Sequence, residues 1–103
     1  MDSFDDLLAQ AEERQRLIAE AQQSLKRKEL VGRSRNGIVT AKLRGSGELV
    51  EVSIDPRQLP RYDAKALGAL VVEAVNDAMG RLAQATQEAF APFLAEAQVG
   101  DLT

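Results

Sequence analysis

The chain has 103 residues and contains neither cysteine nor histidine. Without cysteine it has no disulfide bonds and no thiolate metal sites. Without histidine it lacks the commonest general base and the commonest metal ligand. Catalysis would rest on carboxylates, lysines or the single tyrosine, Tyr62, and no pattern places two carboxylates in an apolar pocket. We therefore expect no enzymatic activity, no catalytic residues, no metal and no cofactor.

Aromatic residues and long apolar runs are also scarce. The chain has three phenylalanines, one tyrosine and no tryptophan. No apolar stretch is long enough to cross a membrane. Three of the first six residues are aspartates, whereas a signal peptide opens with basic residues and an apolar run. We expect a cytoplasmic protein without a membrane partner, built as a single domain over residues 1–103 with a modest core.

Charge is distributed unevenly along the chain. The net charge is −3, which argues against a purely electrostatic nucleic-acid binder. Residues 30–62, however, hold six basic and three acidic side chains, and residues 63–103 hold two basic and six acidic ones. The middle of the chain is therefore basic and its last part is acidic.

The hydrophobic pattern predicts two long helices. The first covers about residues 3–28, with Ser3 as N-cap and apolar residues at heptad spacing, which is typical of a helix that packs on another helix. The second covers about residues 63–91, begins at the N-cap Asp63 and carries a wider apolar face. Pro92 is expected to end or kink it, which leaves residues 92–103 as a short tail.

Three strands are predicted between the helices, over about residues 29–35, 38–44 and 48–55. The second and third alternate apolar and polar residues, which indicates an antiparallel meander with one apolar face. Such a sheet needs a cover, and the second helix is expected to supply it. The predicted fold class is therefore α+β, with the order α-β-β-β-α.

Turn residues separate these strands. Asn36-Gly37 is expected to form a two-residue hairpin turn with positive φ at both positions. Gly45-Ser46-Gly47 is expected to form the second turn and not a phosphate loop. Gly32 weakens the first strand, and Asp55-Pro56 ends the third, with Asp55 as a turn-former and not a metal ligand. Helix N-capping similarly accounts for the acidic Asp2, Asp5 and Asp6 without a cation site.

The helices are longer than the sheet. Each spans roughly 38–42 Å, whereas a seven-residue strand spans roughly 24 Å. The overhanging apolar stripes must pack on each other or on a second copy of the chain, so we expect a homodimer. The residues expected to form the core or the subunit interface are Phe4, Leu7, Ile18, Leu25, Val39, Val52, Ile54, Leu70 and Asn76.

Four short motifs follow one another in the chain: Gly37-Ile38-Val39, Val52-Ser53-Ile54-Asp55-Pro56, Leu59 and Val75-Asn76-Asp77-Ala78. In this order and spacing, they resemble the pattern of the YbaB/EbfC family of bacterial nucleoid-associated proteins. The resemblance implies homodimeric α-β-β-β-α subunits with projecting helices. It also implies double-stranded DNA as partner, location in the nucleoid and an effect on DNA conformation or gene expression. The acidic second helix, interrupted by Gly80, and the residues after Arg81 depart from the family pattern.

Seven basic residues are the candidates for DNA contact. They are Lys26, Arg27, Lys28, Arg33, Arg35, Lys42 and Arg44. The first three also suit the C-terminal end of a helix dipole, and basic residues on exposed strand positions also serve solubility, so both interpretations stay open. No aromatic residue is interleaved with them, which favours phosphate contacts of low sequence specificity and marked salt dependence.

A second hypothesis is a diverged family member that binds another protein instead of DNA. It would be an interaction adaptor, for example in secretion or recombination, with little DNA binding. The acidic second helix and the tail around Phe90 and Phe93 favour it. A structural role is expected for Asn76 and Asp77 in either case.

Overall fold

The computed structural model describes the backbone of residues 3–102 and the side chains of residues 3–94. Helix α1 covers Ser3–Arg27 and helix α2 covers Ala64–Leu102. The strands between them are β1 (Glu29–Arg33), β2 (Val39–Arg44) and β3 (Leu49–Ile54), and a single 3₁₀ turn at Leu59–Arg61 precedes α2. The α+β fold class and the order α-β-β-β-α are confirmed.

The three strands form an antiparallel sheet in the order β1-β2-β3. The register places Ala41 of β2 opposite Gly32 of β1 and Val52 of β3. A shift in register between Lys42 and Leu43 interrupts the pairing of β2 with β3. Opposed residues of neighbouring strands share a face, so Gly32, Ala41 and Val52 lie on the same side of the sheet.

The core lies between α2 and the first two strands. Val39 and Ala41 of β2 are fully buried, and so are Ala74 and Ala78 of α2. A Cβ atom on Gly32 would lie 2.2 Å from the backbone nitrogen of Ala78, which is closer than any side chain tolerates. Glycine in β1 and alanines in α2 therefore let a strand and a helix pack almost backbone to backbone.

Strand β3 is not covered by α2, which corrects the expectation that the second helix covers the whole sheet. The side chains of Leu49, Val50 and Val52 are 46%, 40% and 38% exposed, and only Ile54 is half-buried. The physical reason is the close seating of α2 on β1 at Gly32, which draws the helix to one side of the sheet. The apolar face of β3 is consequently open.

The molecule is elongated, with a Cα radius of gyration of 20.4 Å against about 13 Å for a compact chain of this length. Its extents are 73 × 26 × 15 Å. Helix α1 has no buried residue and packs along the C-terminal half of α2. Ile18 and Leu25 are half-buried, whereas Phe4 is 69% exposed. The two helices thus form an arm that projects from the sheet.

Pro92 does not end α2, so the prediction of a helix end near residue 91 is wrong. The helix continues to Leu102. Its outer half lies along α1, with Phe93 beside Leu17, and this packing offsets the hydrogen bond that a proline removes.

The first turn also differs from its prediction. Gly37 N–H donates to the carbonyl of Ser34 at 2.9 Å, and only Gly37 has a positive φ, of 76°. The side-chain oxygen of Asn36 instead accepts from Ser34 Oγ (2.8 Å) and from Ile38 N–H (3.1 Å), which holds Asn36 outside the left-handed region. The loop is therefore longer than two residues.

The predictions for the second turn, for Asp55 and for the Asp63 cap are confirmed. Gly47, with φ of 93°, donates to the carbonyl of Arg44 at 2.8 Å, which closes the second turn. Asp55 accepts the N–H of Arg57 at 3.0 Å, as a turn-former does. Asp63 accepts the N–H of Ala66 at 2.7 Å and thus caps α2.

Candidate nucleic-acid interface

The fold separates the charges of the chain into two regions. We call residues 22–82, which hold the sheet and the part of α2 that covers it, the body. The body has eleven basic and seven acidic residues, a net charge of +4. Residues 3–21 and 83–94, which we call the arm, have two basic and six acidic residues, a net charge of −4. An anionic ligand is therefore attracted to the body and repelled by the arm.

Three of the seven predicted DNA-contact residues have acidic partners within the body. Lys42 Nζ lies 3.6 Å from Glu51, and Arg44 lies 3.4 Å from Glu48. Arg35 lies 3.5 Å from Glu73. Exposed pairs of this kind are weak and exchange readily. They nevertheless reduce the positive potential of the outer sheet face, the face away from α2.

The other four predicted residues make no ion pair with the part of the chain that the structure describes. They are Lys26, Arg27, Lys28 and Arg33. The first three lie where α1 meets β1, beside the turn that joins β2 to β3. Gly45 N–H donates to the carbonyl of Lys28 at 2.8 Å, and a Cβ atom on Gly45 would lie 1.6 Å from the carbonyl oxygen of Leu25. Glycine at this position therefore brings the turn, with Arg44 next to it, against the basic helix end.

Two carboxylates of α2 bind the outer edge of β1. Asp77 accepts the backbone N–H of Arg33 at 2.9 Å, and Glu73 accepts that of Arg35 at 3.0 Å. These N–H groups point away from β2, because the hydrogen bonds between β1 and β2 use the N–H groups of the residues in between. The hydrogen bond from the Arg33 N–H lowers the pKa of Asp77 most, and the hydrogen bond from the Arg81 side chain lowers it further. The hydrogen bond from the Arg35 N–H likewise lowers the pKa of Glu73.

A groove of about 490 Å³ continues along this edge, between β1 and α2. It brings together two predicted residues, Lys28 and Arg33, with Arg81 of α2. Sequence reasoning missed Arg81. Arg81 follows Asp77 by four residues, a helical spacing that favours the ion pair seen between them at 3.2 Å. Nothing in the sequence indicates that β1 lies beside that turn of α2.

Other candidate residues are placed outside this groove. The side chain of Asn76 is exposed and makes no hydrogen bond within the described residues, so the structural role expected for the pair falls to Asp77. Across residues 3–94, no group of three or more carboxylates is arranged to hold a metal ion. Among the described helices, none combines the length and the apolarity that spanning a membrane requires.

Comparison with known proteins gives a consistent result. The model of the YbaB/EbfC DNA-binding family matches residues 1–97. A nucleoid-associated protein of Nocardia farcinica is 36% identical over 89 residues, which cover 86% of this chain and 81% of that protein. A nucleoid-associated protein of Mycobacterium tuberculosis is 39% identical over 82 residues, which cover 80% of this chain and 62% of that protein.

A solved structure has the same fold. The uncharacterized protein HP0035 from Helicobacter pylori superimposes with a TM-score of 0.70 at 21% identity, over 91% of this chain and 99% of that one. The family match over residues 1–97 includes α1, the sheet and most of α2. The chain belongs to the YbaB/EbfC DNA-binding family.

Proposed function

We propose that the protein is a nucleoid-associated protein that binds duplex DNA as a homodimer. Binding is mainly to the phosphate backbone, has low sequence specificity and affects DNA conformation or gene expression in the cytoplasm. The observation that carries this proposal is the separation of charge, +4 on the body against −4 on the arm. A net charge of −3 thereby coexists with a surface that attracts phosphates.

The body supplies donors suited to phosphate and little that suits base readout. Lys26, Arg27 and Lys28 make no ion pair among the described residues, and Arg33 contacts Asp77 through its backbone N–H while its side chain makes no ion pair. The one ring contact described, Phe90 with Phe93 at 6.3 Å between centroids, belongs to the arm. The body has a single aromatic residue, Tyr62, whose hydroxyl accepts from Asn36 Nδ2 at 3.2 Å. Since stacking on successive bases needs several aromatic residues, the body favours contact with the backbone of duplex DNA.

The open face of β3 supports the homodimer. The side of α2 towards β1 carries Glu73, Asp77 and Arg81, whereas helical spacing places Val75 and Met79 on the opposite side, above β3. Val52 lies on the same face of the sheet. The carboxylates close the β1 edge, and the apolar face of β3 and α2 is left for a second copy to cover, as an isologous interface does.

A salt titration tests DNA binding. The unmodified protein should retard a random-sequence duplex at low salt, with an affinity that falls steeply and linearly on a log–log plot against salt concentration. Replacement of Lys26, Arg27, Lys28 and Arg33 by Gln should reduce that slope by about one for each phosphate that is no longer neutralised. The control is Arg14→Gln with Arg16→Gln, which removes the two basic residues of the arm. Absence of binding at low salt and micromolar protein would refute the proposal.

One observation favours the second candidate function, a protein-interaction adaptor. The arm is acidic and exposes Phe4, Leu7, Leu8 and Leu17, which are between 41% and 69% exposed. An acidic surface with apolar side chains suits a basic protein segment better than DNA. Recovery of one stoichiometric protein partner on the immobilised chain, together with no retention of DNA, would favour the adaptor over the DNA-binding protein.

A further inference from the structure

The outer edge of β1 binds anionic oxygens in this structure. The backbone N–H groups of Arg33 and Arg35 donate to the carboxylates of Asp77 and Glu73, at 2.9 and 3.0 Å. Because donors on one edge of a strand recur at every second residue, the N–H of Val31 points to the same side. Val31 lines the groove between β1 and α2, where neither carboxylate reaches it.

Three cations surround this part of the edge. Lys28, just before β1, and Arg33, its last residue, lie on either side of Val31, about 17 Å apart at the rise of an extended strand. Their odd spacing places the two side chains on opposite faces of the sheet, and Arg81 faces the edge from α2. Arg81 uses its Nε for Asp77 at 3.2 Å, so its two terminal nitrogens keep their donor capacity. The lining also includes the carboxylates of Glu29 and Glu88, which leaves a net charge of +1.

The geometry points to this groove as the seat of one DNA strand, with phosphate oxygens at the β1 edge between Lys28, Arg33 and Arg81. Backbone N–H groups and arginines are ordinary phosphate ligands. Measured along the duplex axis, about 17 Å corresponds to roughly five base-pair steps. The inference rests on the proposed DNA binding. It places the strand at the β1 edge and not across the middle of the outer sheet face. Arg33 belongs to that face by its register opposite Thr40, but it lines the groove because β1 is the edge strand.

Charge-neutralising variants separate the two surfaces. The double variant Lys28→Gln with Arg33→Gln should lower the slope of the log–log salt plot by about two for each groove that touches DNA. The matched pair Lys42→Gln with Arg44→Gln should leave the slope within about half a unit of that of the unmodified protein. Thermal melts of each variant confirm that the fold is retained.

A variant that strengthens DNA binding tests the groove more directly than a variant that weakens it. If phosphates sit in the groove, Glu88→Gln should tighten DNA binding about threefold to tenfold at low salt, because it removes a carboxylate close to them. The control Glu12→Gln changes the charge equally, but it lies in the arm outside the groove. Equal effects of the two variants would indicate a general charge effect and would overturn the assignment.

Lysine footprinting tests the site without any substitution. Lys28 should be protected from acetylation when a random-sequence duplex is added, and Lys65, at the start of α2, should react as before. Binding by the unmodified protein with protection of Lys42 in place of Lys28 would place the DNA on the outer sheet face and overturn the inference. Absence of binding by the unmodified protein would instead refute the proposed function.

Discussion

The carboxylate of Asp77 accepts the backbone N–H of Arg33 at 2.9 Å and the Nε of Arg81 at 3.2 Å. It therefore joins a strand edge to a helix and holds two arginines on the same flank of the body. An edge strand with free N–H groups invites pairing with other strands. Asp77 and Glu73 occupy two of these groups, the N–H of Arg33 and that of Arg35.

Stability should depend on the ionisation of these two carboxylates. Both pKa values are lowered in the folded protein, Asp77 chiefly by the Arg33 N–H and Glu73 chiefly by the Arg35 N–H. A lowered pKa contributes stability above the unfolded pKa, near 4, and this contribution is lost as pH falls through the folded pKa. The midpoint of thermal unfolding should fall between pH 5 and pH 3, and by less in the Asp77→Asn variant. An equal fall in both proteins would contradict the assignment.

Replacement of Gly32 by Ala should be severely destabilising. The added methyl group would lie 2.2 Å from the nitrogen of Ala78 and 2.4 Å from the carbonyl oxygen of Ala74, and neither backbone atom can move independently. We expect a loss of at least about 3 kcal/mol in the free energy of unfolding, measured by urea denaturation. Gly80→Ala is the control, because its Cβ meets nothing within 4 Å and should stabilise α2 by up to about 1 kcal/mol.

Ser34 should contribute more to the free energy of unfolding than an ordinary surface serine does. It is 4% exposed, its Oγ accepts the N–H of buried Val39 at 3.1 Å, and it donates to Asn36 at 2.8 Å. Ser34→Ala leaves that N–H without its side-chain partner, so we expect a loss of about 1–3 kcal/mol. Ser46→Ala, in the exposed second turn, should change stability by less than about 0.5 kcal/mol. Similar urea midpoints for the two variants would contradict the role given to Ser34.

The open face of β3 should determine self-association. Val52→Glu places a carboxylate on that face, where burial against a second copy would cost several kcal/mol, so the dimer should weaken by at least about a hundredfold. Ser53→Glu adds the same charge to the opposite face and should leave the dimer intact. Sedimentation velocity over a concentration series distinguishes the two. A monomeric unmodified protein at tens of micromolar, or equal weakening by both variants, would refute this interface.

Local patterns predicted much of the fold because their physics is local. The alternation over β2 predicted the burial of Val39 and Ala41, and Asp63 predicted the start of α2 through its cap. The effect of Pro92 was mispredicted because the hydrogen bond that a proline removes is a local property of the sequence. The packing of the outer half of α2 on α1, which offsets it, depends on residues far apart in the chain. Asn36-Gly37 was misread for the opposite reason, since the Asn36 side chain bonds within its own loop and keeps its φ negative.

The candidate site was only partly predictable. Composition and charge order identified Lys28 and Arg33, because basic residues concentrate between the two helices. Their proximity to Arg81 depends on the close seating of α2 on β1, which Gly32, Ala74 and Ala78 permit. A lone glycine in a strand is read from sequence as a weakness, and only the facing helix shows it to be a point of contact.

The sequence by itself determined the element order, the apolar faces, the family motifs and the absence of cysteine and histidine chemistry. These follow from residue types and from spacings of two to seven residues. Tertiary structure alone decided which sheet edge is closed and which apolar face stays open. It also decided how the net charge of +4 on the body and that of −4 on the arm are separated along a molecule 73 Å long. Those properties depend on distances between residues far apart in the chain, which no local pattern encodes.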